Sequence, residues 1–232
     1  MVAIVTGGSK GIGFAIARAL LGRGMQVTIT GRSERDLHHA AASLQAGDKL
    51  QAVSADVRDE AAARRIVAGT VARFGGVDVL VNNAGVGRFA NVADMTAETW
   101  REVIDTNLTG VFYCTHAALP EMRRRGGGYI INISSLAGKN AFTGGAAYCA
   151  SKAALNAFSE ALMQEVRFDN IRVSYVMPGS VSTGFGDRGD SGQADWKLSP
   201  DDVAQAVVDL IAQDPRALVS RVEMRPSRPR KG

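Results

Sequence analysis

The sequence predicts a doubly wound α/β protein: about seven parallel strands in one sheet, with helices on both faces. Three observations carry this. Short β-rich apolar runs alternate with longer amphipathic stretches along the chain, the order that builds strand–helix–strand crossovers. Several runs are almost continuously apolar, as strands are when both sheet faces are covered. The first run leads directly into a glycine-rich turn, TGGSKGIG at 6–13, that opens the first helical stretch.

The runs are VAIVT (2–6), QVTIT (26–30), LQAVSA (50–55), VDVLVN (77–82), GYIINIS (128–134), IRVSYVM (171–177) and LVSRVEM (218–224). Between them GFAIARALLGRG, EAAARRIVAGTVARFG and ETWREVIDTNLTGVFYCTHAALPEMRRR carry the spacing of amphipathic helices. AAYCASKAALNAF (146–158) is alanine-rich and helical, punctuated only by the TGG just before it. It sets Tyr148 and Lys152 four residues apart, on one helix face. Taken alone, that pair reads more readily as an ordinary surface contact than as a site. TGFGDRGDSGQADWKL (183–198) is rich in Gly and Asp and reads as a loop, and the basic tail over 226–232 as a frayed terminus.

At 232 residues and 46% hydrophobic, the chain suits one sizeable core and a single domain over 1–232. No run of about 18 apolar residues is present, so no membrane span is expected. The opening MVAIVTGG lacks a basic flank and a small-residue cleavage site, so a cytoplasmic location is expected. Cys114 and Cys149 have no metal spacing and read as reduced thiols; His38, His39 and His116 form no ligand set, and no metal is expected. The net charge of +4 gathers in Arg123 to Arg125 and in the tail. The first group reads as the basic end of a helix. No aromatic residue is interleaved with either, so nucleic acid is not an expected partner.

In TGGSKGIG the glycines Gly7, Gly11 and Gly13 permit a tight turn and close backbone approach to a phosphate, with the N–H groups of the following helix aimed at it. Position and spacing make the fold Rossmann-like, with a G-x-x-x-G-x-G variant in place of the commoner G-x-G-x-x-G. Further motifs follow in order. They are Asp56–Val57, NNAG at 82–85, Asn107 in DTNLTG, Ser135 in NISS, Y-x-x-x-K at Tyr148–Lys152, and PGSVST at 178–183. Together these resemble the short-chain dehydrogenase/reductase family, and within it the NADP-preferring 3-oxoacyl and carbonyl reductases.

The resemblance implies an oxidoreductase that moves hydride between a nicotinamide and a carbonyl or secondary alcohol. Tyr148 would exchange a proton with the substrate oxygen. A phenol working as a base near pH 7 needs a drop of roughly three pKa units, about 4 kcal/mol. A cation ~5 Å away supplies roughly 3 kcal/mol at an effective dielectric near 20, so Lys152 has the sign and size to tune it. By the same resemblance Lys152 would also bind the nicotinamide ribose, Ser135 would donate to the substrate oxygen, and Asn107 would hold a relay water. The glycine turn would hold the cofactor through Gly7, Ser9, Lys10, Gly11, Ile12 and Gly13. Asp56 and Val57 would meet the adenine. Asn83, Ala84 and Gly85 would line its ribose, and Pro178, Gly179, Val181 and Thr183 would clasp the nicotinamide and phosphates.

NAD-preferring relatives end the second strand with Asp; here Gly31, Arg32 and Ser33 stand there. Arg32 and Lys10 can take a 2′-phosphate, which predicts NADP(H). An NADP-binding regulator of the same fold, without turnover, is the rival reading, although such relatives usually lack the tyrosine or lysine. A sugar-nucleotide epimerase would want a longer C-terminal substrate domain. The short 183–198 segment predicts an open site of little discrimination for small carbonyl compounds, with Phe185 and Trp196 as apolar contacts; Trp196 equally suits packing on the core. Ala154, Leu155, Phe158, Leu162 and Val166 offer more apolar surface than one sheet contact needs, which predicts a homodimer or homotetramer.

Overall fold

The structure is a computed structural model, and it describes residues 1–185 and 196–228. The strands are β1 (Val2–Val5), β2 (Gln26–Gly31), β3 (Leu50–Ser54), β4 (Val79–Asn82), β5 (Gly128–Ile133), β6 (Ile171–Pro178) and β7 (Arg221–Met224). The helices are α1 (Gly11–Gly22), α2 (Glu34–Leu44), α3 (Glu60–Phe74), α4 (Ala97–Ile104), α5 (Gly110–Arg124), α6 (Ala146–Val166) and α7 (Pro200–Ala212). All seven predicted runs become strands of one sheet in the order β3-β2-β1-β4-β5-β6-β7, and every pairing is parallel. The order turns back on itself at β1, so a crevice opens between the carboxyl ends of β1 and β4, where sheets of this kind receive ligands.

Alternation along each strand explains why the runs are apolar throughout. Val5, Val79, Val81, Ile131 and Ile133 pack toward α1 and α7. Their neighbours Ile4, Leu80 and Ile130 pack toward α3, α5 and α6. Each strand thus feeds two cores, and neither face has room for the polar residues of a half-exposed sheet. β7 is shorter than its apolar run and borders solvent, with Arg221 and Glu223 exposed.

The stretch read as one long helix is continuous but changes pitch. A π-helical turn, Asp105–Thr109, joins α4 to α5; such turns widen the backbone and are frequent at functional sites. α5 ends at the three arginines, and each meets a carboxylate. Arg123 pairs with Asp169 at 2.7 Å, Arg124 with Glu121 at 2.8 Å and Arg125 with Asp78 at 2.6 Å. No helix among the described residues is long and apolar enough to cross a membrane. Residues 186–195 of the predicted loop and 229–232 of the basic tail lie outside the described residues. The loop's ends are pinned by a bridge between Val181 and Leu198.

Candidate active site

The crevice is built by two turns packed backbone to backbone. Thr6, which follows β1, accepts hydrogen bonds at its hydroxyl from the backbone N–H groups of Asn83 and Ala84, both at 3.0 Å. The Asn83 amide Nδ2 donates back to the carbonyls of Thr6 (2.9 Å) and Gly7 (3.1 Å). A Cβ at Gly7, whose φ is +65°, would stand 2.9 Å from Ala84 Cα, and one at Gly13 would overlap the Gly7 carbonyl and the Asn83 amide. Gly11 (φ +56°) turns the chain into α1 with Thr183 over it, 3.5 Å from where a Cβ would be. Asn83 is therefore a strut of the glycine turn, and its side chain is committed to that role. Ala84 and Gly85 continue from it along the crevice.

Lys10 and Arg32 are both exposed; their chain neighbours Ser9 and Gly31 adjoin, since a Cβ at Gly31 would lie 3.3 Å from Ser9 Oγ. Ser33 caps α2 by accepting from Asp36 N at 3.2 Å, which leaves its hydroxyl hydrogen to donate. Ile12 is half-buried in the first turn of α1. Asp56 does not present a free carboxylate: Arg58 Nη2 binds one oxygen at 2.6 Å and Arg58 N the other at 3.0 Å. The Arg58 hydrogen bonds hold the Asp56 carboxyl below its usual range. Val57 is buried against Gly110. Beyond β6, Gly179 N bonds to Met224 O at 2.9 Å, and Ser182 N to Leu198 O at 2.8 Å. These bonds position Pro178, Gly179, Val181 and Thr183 along the far wall.

Tyr148 and Lys152 lie in the first two turns of α6, beside the end of β5. Lys152 is only 4% exposed. Its Nζ donates to the Ile133 carbonyl at 2.8 Å and lies 5.9 Å from the centroid of the Tyr148 ring. Burial pulls the Lys152 ammonium down to about 8. Ser135 follows β5, starts a short 3-10 turn by accepting from Ala137 N at 3.1 Å, and hydrogen-bonds Tyr148. Burial raises the Tyr148 phenol in the ligand-free protein, and the Ser135 hydrogen bond works against that rise; Lys152 is turned onto the Ile133 carbonyl.

Asn107 sits in the π-helical turn with its amide fully engaged. Nδ2 donates to Val86 O and to Ser151 Oγ, each at 3.0 Å, and Oδ1 accepts from Val86 N at 2.8 Å. Ser151 in turn donates to Tyr148 O at 2.7 Å. A relay water would have to use the remaining lone pair of Oδ1 or the Asn107 backbone.

Sequence reasoning passed over Thr6 as a site residue, Ser151, and Ser134, whose hydroxyl donates to Asn156 Oδ1 at 2.5 Å beneath Lys152. Chain order gave only one signal: their proximity to the motifs. It also missed Phe89 and Phe142. Phe89 lies 5.7 Å from the Tyr148 ring and 5.8 Å from Phe142, and Phe185 lies 5.7 Å from Tyr148 on another side. Trp196 is half-buried and is not one of the ring partners among the described residues. No group of three or more His, Cys, Asp or Glu there is placed to hold a metal ion.

A glycine-lined crevice at the sheet's reversal, next to a serine, a tyrosine and a buried lysine, defines a dinucleotide-dependent oxidoreductase class. Residues 1–193 match the family model described as short chain dehydrogenase, and the chain belongs to that family. It is 36% identical to an uncharacterized oxidoreductase of Staphylococcus saprophyticus, covering 97% of each. Among solved structures, a closed form of serine dehydrogenase complexed with NADP+ has a TM-score of 0.89 at 34% identity, covering 97% of this chain and 94% of that one. An alcohol dehydrogenase from the archaeon Thermococcus sibiricus, complexed with 5-hydroxy-NADP, has a TM-score of 0.91 at 31% identity, covering 100% and 98%.

The buried lysine carries a testable cost. Its folded pKa lies near 8, below the ordinary 10.5, so between those values the unfolded chain holds the proton and the folded chain does not. Stability therefore rises with pH across that window and is flat below it. Lys152→Met should stabilise the ligand-free protein at pH 7 by about 1–2 kcal/mol, after allowing for the lost bond to Ile133. The gain should shrink toward pH 10.5, as thermal denaturation across pH 7–10.5 would measure.

Proposed function

We propose that this oxidoreductase is NADP(H)-dependent and moves hydride between nicotinamide and a carbonyl or secondary alcohol, with Tyr148 as acid and base. The observation that carries the reading is the meeting of Tyr148, Ser135 and buried Lys152 beside the glycine turn. The cradle suits a dinucleotide: a Cβ at Gly7 would stand in the backbone of the opposite turn. Gly11, Ile12 and Gly13 present the α1 N-terminus to a pyrophosphate. Asp56, Val57, Ala84 and Gly85 would hold the adenosine, and Pro178, Gly179, Val181 and Thr183 the nicotinamide end. When bound, the reduced nicotinamide supplies the hydride. Ser135 donates to the substrate oxygen as charge builds on it, Tyr148 gives that oxygen its proton, and Lys152 orients the ribose beside the phenol. Asn107 holds the Val86 turn and the first turn of α6 in register.

The deciding assay is nicotinamide absorbance during turnover with a panel of ketones, 3-oxoacyl thioesters, sugars and steroids; a regulator without catalysis would show binding and no turnover with any of them. Tyr148→Phe should abolish turnover and leave NADPH affinity near wild type, whereas Lys152→Ala should damage both. A tenth of the wild-type rate in Tyr148→Phe would refute the acid/base role. Because burial raises the phenol, it is protonated at neutral pH. Alcohol oxidation should therefore rise with pH more steeply than carbonyl reduction, as initial rates over pH 6–10 in both directions would record.

NADPH should be preferred to NADH. Gly31 neither binds the ribose hydroxyls nor repels a 2′-phosphate, and Arg32, Lys10 and Ser33 ring its place. Two exposed cations against a dianion give about 2–4 kcal/mol, roughly 30- to 1000-fold. Gly31→Asp with Arg32→Ile should reverse the preference, and equal Michaelis constants for the two cofactors in the unmodified protein would overturn it.

The protein should assemble as a homodimer or homotetramer through the α5–α6 face, on only part of the residues first expected: Ala154 and Phe158 stay half-buried. Leu155, Leu162 and Val166 are buried in this chain's own core, where packing on β5 and β6 consumes them. Trp100 on α4 and Phe112 on α5 are exposed and supply the apolar surface instead. Sedimentation at micromolar concentration should give two or four copies, and a monomer would refute the assembly.

A further inference from the structure

We infer that the substrate side of this site selects a carbonyl compound carrying a flat, uncharged ring, such as an aryl ketone, over straight-chain and carboxylate-bearing ketones. The inference rests on the catalytic reading above and names its substrate class. Two phenyl rings pack on the Tyr148 phenol, and a third packs on one of the two. Phe89 meets the Tyr148 ring edge-on, with 74° between planes at 5.7 Å, and Phe185 meets it tilted by 55° at 5.7 Å. Phe142 extends the wall, 5.8 Å from Phe89. Phe142 and Phe185 remain 44% and 42% exposed, so the wall opens to arriving molecules. Single exposed apolar side chains are ordinary, but a contiguous aromatic patch bordering a proton donor is a binding feature.

The rings are held in place by the backbone. A Cβ at Gly87 would stand 2.7 Å from Phe185 and 3.0 Å from Phe89, and a Cβ at Gly145 would stand 2.6 Å from Phe142. Each ring is thus seated on a glycine that leaves it no side chain to move aside. Arg88, between Gly87 and Phe89 in the chain, directs its guanidinium to Glu102 at 3.0 and 3.3 Å, so its charge is already matched. A substrate carboxylate set against the phenyl wall would lose water and gain no partner from Phe89, Phe142, Phe185 or the matched Arg88. A flat ring would offer the edge-to-face and offset contacts that aromatic quadrupoles favour. The open, undiscriminating site expected from the sequence thereby narrows to one that sorts by shape and charge.

The test compares kcat/KM with NADPH for acetophenone, 2-octanone, which has the same carbon number, and a 3-oxo carboxylate. Acetophenone should lead 2-octanone by about 10-fold, with the carboxylate last. Phe142→Ala and Phe185→Ala should each remove most of that lead through KM, with NADPH affinity and melting temperature near wild type. Equal or better turnover of 2-octanone or the carboxylate would overturn the inference, as would an unchanged ratio in both variants. Calorimetric titration of the NADP+-complexed protein with acetophenone tests the wall without turnover. Binding that both variants weaken keeps the ring site even if no ketone is reduced, in which case the catalytic reading alone fails; no binding refutes the ring site.

Discussion

The backbone contact between the turn after β1 and the turn after β4 sets the geometry of everything downstream. At most positions in a sheet, neighbouring strands part after their last paired residue and their loops diverge. Here Thr6 accepts both N–H groups of the opposing turn, and Asn83 returns two bonds to the first. The glycines at 7 and 13 let the chains approach to a distance no other residue permits. Four directional bonds at one corner are worth more than their small net contribution to stability, because losing Thr6 would leave two part-buried donors without their protein partner, at up to about 1 kcal/mol each. The corner fixes where α1 begins, hence where its free N–H groups point, and it fixes the direction in which residues 83–86 leave the sheet.

That direction is carried onward to the chemistry. Val86, three residues past Asn83, is gripped through both its N–H and its carbonyl by Asn107. Asn107 grips Ser151, and Ser151 the Tyr148 carbonyl. A chain of hydrogen bonds thus runs from the glycine turn to the first turn of α6. The π-helical turn supplies the extra width that lets Asn107 face Val86 and α6 together. Beneath it, Asn82 donates to Asn132 at 2.9 Å and Asn132 to Ser159 at 2.8 Å, tying β4, β5 and α6 at the floor of the site. Buried polar networks of this kind specify one arrangement of the elements more than they stabilise it.

Much of this was legible in the sequence because it depends on period and punctuation. Seven apolar runs became seven strands, and the glycine turn, Ser135, Tyr148 and Lys152 came together as their motifs implied. What stayed hidden depends on pairing between distant residues. Phe89, Phe142 and Phe185 share no periodicity, and only the fold brings Phe89 and Phe185 to one phenol and Phe142 to Phe89. Arg58 lies two residues after Asp56, yet nothing in the order says that it binds both carboxylate oxygens. Leu155, Leu162 and Val166 looked like surplus apolar surface because helical spacing cannot divide one face between its own sheet and a partner. The extent to which the fold buries Tyr148 and Lys152 is likewise not written in their spacing.

Burial works against the charge of both Tyr148 and Lys152 in the ligand-free protein, and this is consistent with the proposed chemistry. It acts on the two groups in opposite numerical directions, raising Tyr148 and lowering Lys152, and for both it disfavours the charged form. The neutral phenol is the state that donates a proton to a carbonyl oxygen, so the resting site is prepared for reduction at neutral pH. The lysine, near 8, still carries its charge at pH 7 and remains tethered to the Ile133 carbonyl at the end of the strand that leads to Ser135. A more exposed pair would titrate closer to ordinary values and lose this bias. The rings of Phe89 and Phe185 that pack on the tyrosine contribute to that burial, so under the proposed reading the same wall would both border the substrate and favour the protonated phenol.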